Sequence, residues 1–194
     1  MPVIVSDIHQ GLIERGVDGD RKALSELYKL YSRAMFNTSV RILNSREDAE
    51  EALQDAFTEA FMKLNSFRYE STFGSWLKRI VINRSINLAL KRKMNFTTED
   101  VLKNMPESND EEPNYEEIHY EAGRIIKAMD SLPNGFRIVF SLYMIEGYDH
   151  EEIAGILNIS ESTSKSQLHR AKSKIKEIIL NQSDDGKNGR VYQK

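Results

Sequence analysis

Residues 149–180, DHEEIAGILNISESTSKSQLHRAKSKIKEIIL, decide how the second half of this chain folds. Asp149 is placed to cap a helix N-terminus, and Glu152, three residues on, completes a capping-box pattern. Ile153, Ala154 and Leu157 then share one face of a short helix, with Ala154 small enough to tolerate a steep helix crossing. Asn158 stands where a tight turn wants a residue able to enter the left-handed region, which Asn does more readily than most non-glycine residues. Ile159 turns back to the core and Ser160 caps a second helix, whose buried stripe is Leu168, Ala171 and Ile175. Ser162, Thr163, Lys165, Ser166, His169, Arg170, Lys172 and Lys174 remain outward. Short hydroxyl groups followed by cations suit a DNA major groove and its flanking phosphates. The plainer alternative is a helical hairpin with a solvated basic face.

A length of 194 residues accommodates one large or two small helical domains. Four prolines and ten glycines are few enough to favour long helices over a loop-rich β fold. Cysteine is absent, which excludes disulfides, thiolate metal sites and a cysteine nucleophile, and fits a reducing cytoplasm. The first ten residues, MPVIVSDIHQ, lack the basic start and apolar run of a secretory signal. No stretch approaches the length of apolar sequence that spans a bilayer, so no direct membrane insertion is expected.

The formal net charge of −3 conceals an uneven distribution. Lys78, Arg79, Arg84, Lys91, Arg92 and Lys93 form a run with no acid, and Lys165 to Lys176 form a second basic run. Between them the acids Glu99 to Glu121 face the single cation Lys103. Helical periodicity also fails from Phe96 to Asn114, where Pro106 and Pro113 interrupt it. The expectation is an all-α chain of two small helical domains on a flexible acidic linker, the C-terminal one with a helix-turn-helix. Its boundaries read as an N-terminal domain at 1–95, a linker at 96–114, a helix-turn-helix domain at 115–181 and a disordered polar tail at 182–194.

In the front domain, Asp20 caps a helix carrying Leu24, Leu27, Tyr28 and Tyr31, and Ser45 with Asp48 marks the start of the next. Behind Ser45, Ala49, Leu53, Ala56, Phe57, Ala60, Phe61 and Leu64 follow helical spacing, while Glu47, Glu50, Glu51, Gln54, Asp55, Thr58 and Glu59 occupy the other face. Glu51 and Asp55 are helical neighbours, but no histidine stands near them and they lie on the polar side. A solvated face or a docking surface for a basic partner therefore fits better than a metal or acid/base site. Phe67 to Lys93 combines loop aromatics with a helix bearing Trp76, Asn83, Asn87 and six cations. Aromatic faces stack on unpaired bases, amides read base edges and cations follow phosphate. An ordinary basic helix with Trp76 in the core, alongside Leu77, Val81 and Leu88, is the competing reading. The four histidines show no ligand spacing, and no phosphate-binding loop, dinucleotide-binding glycine run or nucleophile elbow occurs, so neither cofactor nor catalytic residue is expected.

Taken in order, residues 19–64, 67–93 and 129–175 resemble a bacterial RNA polymerase sigma factor of the small two-domain, extracytoplasmic-function (ECF) group. That resemblance implies an alternative sigma factor whose first domain binds core RNA polymerase and the melted minus-10 element, and whose second binds the minus-35 element of promoter DNA as duplex. By the same resemblance, Glu51, Gln54, Asp55 and Glu59 dock on the clamp helices of the largest polymerase subunit. The loop Phe67 to Phe73 corresponds to the specificity loop that pockets a flipped-out base, and Phe67, Tyr69, Trp76, Arg79, Asn83 and Asn87 form the minus-10 set. Ser162, Thr163, Lys165, Ser166, His169 and Arg170 match the minus-35 contacts. The group is usually held inactive by an anti-sigma factor, so one is expected here, with a cytoplasmic location.

Two departures from the family pattern stand in the second helix. Ser162-Thr163-Ser164 replaces a usual Gly-Thr-Val, so Ser164 takes an apolar core position and is expected to bond its hydroxyl back to a carbonyl one turn earlier. His169 is also an uncommon choice at its position. Two other classes remain open. A stand-alone helix-turn-helix activator or repressor would leave Phe67 to Lys93 unemployed, and a helical nuclease or other metal enzyme would need a pocketed carboxylate cluster.

Overall fold

The computed structural model describes residues 6–92 and 118–188, with side chains at 6–92 and 123–181. Among these residues there are eight α-helices and no strand. The chain forms two compact units, Met1–Met94 and Asn95–Lys194. The expected acidic linker lies outside the described residues.

In the first unit, α2 (Arg21–Leu43), α3 (Arg46–Met62) and α4 (Phe73–Arg92) pack on one another, a 3₁₀ turn spans Leu64–Ser66, and α1 (Gln10–Val17) lies against α2 and that turn. The helix starts follow the expected caps. The Asp20 carboxylate accepts the Lys22 and Ala23 amides at 2.8 and 3.3 Å, and Ser45 Oγ accepts the Asp48 amide at 3.2 Å. Asn44 ends α2 in the left-handed region, φ 52°. Ala49, Ala52, Ala56 and Ala60 are all buried on α3, which lets α2 and α4 approach the same helix closely. Phe57, Leu64, Phe73, Leu77 and Val81 fill the space between them.

Two features differ from expectation. Leu88 is half-buried; Ile82, Ser85 and Ile86 are fully buried instead, and Ser85 Oγ meets Ser39 Oγ at 2.8 Å where α4 crosses α2. Helix α1 was not expected at all. Its eight residues are short for a periodicity reading, yet it buries Ile13 and Gly16. A Cβ on Gly16 would come within 2.9 Å of the methyl ends of Leu24 and Leu64, so α1 lies close against α2 and the 3₁₀ turn.

The second unit contains α5 (Ile118–Met129), α6 (Asn134–Phe140), a π-helical turn at Ser141–Ile145, α7 (His150–Leu157) and α8 (Glu161–Asn188). Its core is Ala128, Met129, Leu132, Ile138, Val139, Leu142, Ile153, Leu168, Ala171 and Ile175. Arg137 is buried in this apolar setting. Its guanidinium donates to the Leu132 carbonyl at 3.2 Å and to Asn134 Oδ1 at 2.5 Å, stapling the turn before α6. Gly147 adopts φ 80° after the π-helical turn, a conformation glycine enters at little cost where a helix ends. Helix α8 continues to Asn188, into the stretch expected to be a disordered tail. Extending an existing helix avoids the nucleation cost, so polar residues can propagate it. Residues 189–194 of that expected tail lie outside the described residues.

Candidate nucleic-acid and polymerase interface

The helix-turn-helix forms as its local chemistry dictates. Asp149 accepts the Glu152 amide at 2.8 Å and Glu152 returns the bond to the Asp149 amide at 3.0 Å, a complete capping box. Asn158 turns the chain at φ 52°, ψ 49°, and Ser160 Oγ accepts the Thr163 amide at 3.1 Å to start α8. Leu168, Ala171 and Ile175 are buried, so the opposite side of α8 faces outward. Ser162, Lys165, Ser166 and His169 are exposed there, with Thr163 and Arg170 half-buried.

Much of this first turn is already satisfied locally. The hydroxyls of Ser162 and Thr163 lie 2.9 and 2.7 Å from Ser160 Oγ, Ser166 donates to the Ser162 carbonyl at 2.8 Å, and Lys165 pairs with Glu161 at 2.6 Å. Ser164 is fully buried, as expected of a core position. Its partner differs from expectation: Ser164 Oγ lies 2.9 Å from His150 Nδ1 on α7, not against a carbonyl of its own helix. Tyr143 stacks on His150 with centroids 4.5 Å apart, so the two helices are tied by a polar contact under an aromatic lid.

In the first unit the expected residues divide by surroundings. Glu51, Gln54 and Asp55 are exposed on α3 and Glu59 is half-buried. Glu59 receives Lys63 at 2.6 Å and Arg84 at 2.5 Å. The Lys63 hydrogen bond is the main reason its carboxyl is held below the ordinary glutamate value, with burial opposing and Arg84 adding to the lowering. Glu51 is paired with Arg92 at 2.6 Å, and Arg92 also bonds Asp48. Gln54 and Asp55 show no side-chain partner among the described residues, and Gln54 borders a groove with Tyr28, Leu53, Phe57 and Phe61.

Along α4, Arg79, Asn83 and Asn87 are exposed. Helical spacing sets Trp76, Asn83 and Asn87 along one side. Arg84 and Arg92, by contrast, are committed to α3. The aromatics at the start of α4 form one cluster: Phe67 lies 4.7 Å from Tyr69, 5.3 Å from Trp76 and 5.9 Å from Phe73 between ring centroids. Phe67 is only 8% exposed. Its ring belongs to the core, which corrects the expectation that it offers a stacking face to a base. Tyr69 and Trp76 remain half-buried, and Tyr69 adopts φ 56° in the loop.

Comparison with known proteins follows this layout. Residues 27–94 match the family described as Sigma-70 region 2, and residues 122–175 match Sigma-70, region 4. The chain belongs to the ECF sigma factors. It is 30% identical over 179 residues to the ECF RNA polymerase sigma-E factor of Haemophilus influenzae, covering 88% of this chain and 94% of that one. It is 31% identical over 180 residues to the sigma-E factor of Escherichia coli K12, covering 86% and 91% respectively. Two solved structures share the fold. A sigma factor RpoE bound to the anti-sigma factor NepR from Bartonella quintana matches at TM-score 0.51 and 23% identity, covering 82% of this chain and 98% of that chain. CnrH bound to the cytosolic domain of CnrY matches at TM-score 0.50 and 21% identity, covering 88% and 96%.

As an ECF sigma factor the protein directs transcription initiation with RNA polymerase and is not itself an enzyme. Among the described residues no three His, Asp or Glu side chains gather as a metal site, and no helix is long and apolar enough to cross a membrane. The local composition pointed to the helix-turn-helix surface. The contacts of Asp7 with Phe73 and of His9 with Tyr31 went unseen because they join residues far apart in sequence.

Proposed function

We propose that this sigma factor reads its promoter in two chemically different ways, one for each unit. The first unit takes the melted minus-10 strand on Arg79, Asn83 and Asn87, with the half-buried rings of Tyr69 and Trp76 beside them. The observation that carries this reading is the division of labour on α4. Arg84 and Arg92 are spent on carboxylates of α3, whereas two amides and Arg79 stand exposed beyond an aromatic loop. Exposed amides with an aromatic platform read unpaired bases, and cations alone would read only phosphate. Phe67 supports the loop from beneath in this arrangement.

The second unit takes the minus-35 element as duplex, with α8 in the major groove. Ser162, Thr163, Lys165 and Ser166 lie at its N-terminal end, and His169 and Arg170 follow about a turn later. Because Lys165 is paired with Glu161, its phosphate contact forms by exchange. Arg170 has the reach and planar fork for a guanine edge or a bridging phosphate.

Core RNA polymerase docks on α3, where Gln54 borders the groove with Tyr28 and Phe57 and Asp55 is exposed next to it on the helix. Glu51 and Glu59 flank that surface while holding α4 against α3, so they contribute both to docking and to the unit's own structure. An anti-sigma factor is a further partner, in line with the solved relatives that carry one, and the setting is the cytoplasm, where core polymerase acts.

The test is to add the chain to core polymerase and measure initiation on promoter libraries. Promoter-specific transcripts are expected, and Asp55→Arg should abolish them through lost core affinity while circular dichroism stays normal. Unchanged core affinity in Asp55→Arg would reduce the α3 face to a solvated surface.

A further inference from the structure

The first unit contains a polar device that the matched family region does not cover. Residues 6–17 precede the Sigma-70 region 2 match, which begins at residue 27, yet they grip the start of α4. Asp7 is 7% exposed. One of its carboxylate oxygens accepts the His9 amide at 2.8 Å, and the other accepts the Phe73 amide at 2.6 Å. The Phe73 amide belongs to the first turn of α4, where backbone N–H groups have no partner within the helix. A carboxylate there satisfies one of them and also meets the positive end of the helix dipole. Thr72 caps α4 locally, its Oγ1 accepting the Ser75 amide at 3.3 Å, and Asp7 adds a second bond to the same turn from 66 residues away in sequence.

Two further contacts act on the same turn. His9 Nδ1 lies 2.8 Å from the Tyr31 hydroxyl, and the Tyr31 ring packs edge-on against Phe73 with centroids 5.2 Å apart. A Cβ placed on Gly74 would come within 3.0 Å of the Tyr31 ring, so this ring sits directly on the backbone of α4. Burial raises the Tyr31 phenol above its ordinary value, and the Asp7 charge adds to the effect. Tyr69 in the loop is raised in the same sense, first by burial and then by the charges of Glu14 and Asp7. The loop tyrosine therefore lies within the electrostatic field of the N-terminal segment.

We infer that Asp7, with His9 and Tyr31 behind it, is a positioning residue for promoter recognition: it fixes the first turn of α4, and thereby the conformation of loop 67–72 that receives an unpaired base. This rests on the reading of that loop proposed above. The physical argument is one of preorganisation. Tyr69 occupies the left-handed region, which is costly for a bulky residue and persists only where surrounding contacts over-determine it. The rings of Phe67 and Tyr69 anchor the loop on the core; Asp7 fixes its far end where it enters α4.

The experiment uses holoenzyme reconstituted from the full chain and core polymerase. Binding to short single-stranded oligonucleotides is measured with each of the four bases at the position the loop receives. In parallel, the emission of Trp76, which is the chain's sole tryptophan and touches both Phe67 and Phe73, reports on the loop in the free chain. Asp7→Ala is expected to weaken the preferred oligonucleotide on the order of five- to tenfold, the scale of one lost charge-assisted hydrogen bond. The least preferred base should hardly change, so the preference is compressed, and Trp76 emission should shift to the red. Core affinity and minus-35 duplex binding should stay at wild-type levels.

Asp7→Asn keeps one carbonyl oxygen for the Phe73 amide and should recover part of the preference. Tyr31→Phe, which keeps the ring and removes the bond to His9, should give a smaller loss in the same direction, and these two variants carry the test if Asp7→Ala does not fold. Wild-type base preference and unshifted Trp76 emission in folded variants would overturn the clamp alone. Equal weakening of all four bases would make Asp7 a general stability contact and would also overturn it. A wild-type holoenzyme with no base preference at this position would overturn the loop reading, and the clamp's role with it.

Discussion

The two units reach their binding surfaces by opposite routes. In the second unit the surface is assembled mostly from neighbours in sequence: the Asp149–Glu152 capping box, the left-handed Asn158, the Ser160 cap and the Lys165–Glu161 pair all span five residues or fewer, and His150 with Ser164 reaches across only 14. In the first unit the surface depends on residues far apart. Asp7 caps Phe73, Ser39 meets Ser85 and Glu59 holds Arg84, across separations of 66, 46 and 25 residues. A locally encoded reading helix presents a fixed face to an already regular duplex. A melted strand has no regular shape of its own, so the protein has to supply the rigidity, and long-range contacts supply it.

The strongest way to break this contrast is to remove the anchor of the first unit. Phe73 is fully buried and touches Tyr31, Phe67 and Trp76, so Phe73→Ala should cost about 3–5 kcal/mol. Thermal unfolding followed by Trp76 emission should collapse to low temperature while helical ellipticity from the second unit survives. Simultaneous loss of both signals would mean that the units are not separately stable.

Arg170→Ala comes next. It should cost on the order of 1–3 kcal/mol on the preferred duplex and relax preference at one or two base pairs. Glu161→Gln, which releases Lys165, should tighten binding to all duplexes alike. A panel of single-base variants at several salt concentrations separates the two effects, and a uniform loss from Arg170→Ala would make it a backbone contact.

How much was legible in the sequence follows the same division. The α7–α8 hairpin, its caps and its buried stripe could be read residue by residue because each depends on spacing of a few positions. The same holds for the Asp20 and Ser45 caps and the alanine-rich face of α3. Asp7, the Ser39–Ser85 contact and the burial of Phe67 could not be read this way, since a helical pattern does not say which distant element it packs against. The pairing of Ser164 with His150 was missed for that reason too, although the family pattern implied a core position for Ser164. Asp7 left one faint signal: an acid shortly before Leu12, Ile13 and Gly16, which stand at helical spacing.

Asn158 sharpens the local side of the contrast. It holds φ 52° at the turn, so Asn158→Ala should destabilise the second unit by about 1 kcal/mol, and Asn158→Gly should be near neutral. The smallest effect expected is pH-linked and belongs to the first unit. The carboxyl of Glu59 titrates below the ordinary 4.5, so its pairing stabilises the fold above that value. That contribution is lost as pH falls through the depressed value. Acid unfolding followed by Trp76 should therefore have a shallower slope below pH 4.5 in Glu59→Gln than in the wild type. An identical slope would mean that the Glu59 pairings contribute nothing measurable.

The central claim, that one unit reads melted strand and the other duplex, is tested most directly by a crossed comparison in holoenzyme. Asn83→Ala with Asn87→Ala is set against Arg170→Ala, and each is measured on a minus-10 single strand and on a minus-35 duplex. The account predicts that the double asparagine variant loses base-specific binding to the single strand and open-complex formation while keeping duplex affinity, and that Arg170→Ala does the reverse. Normal open complexes and single-strand binding by the asparagine variant, or equal losses on both DNAs from either variant, would contradict it.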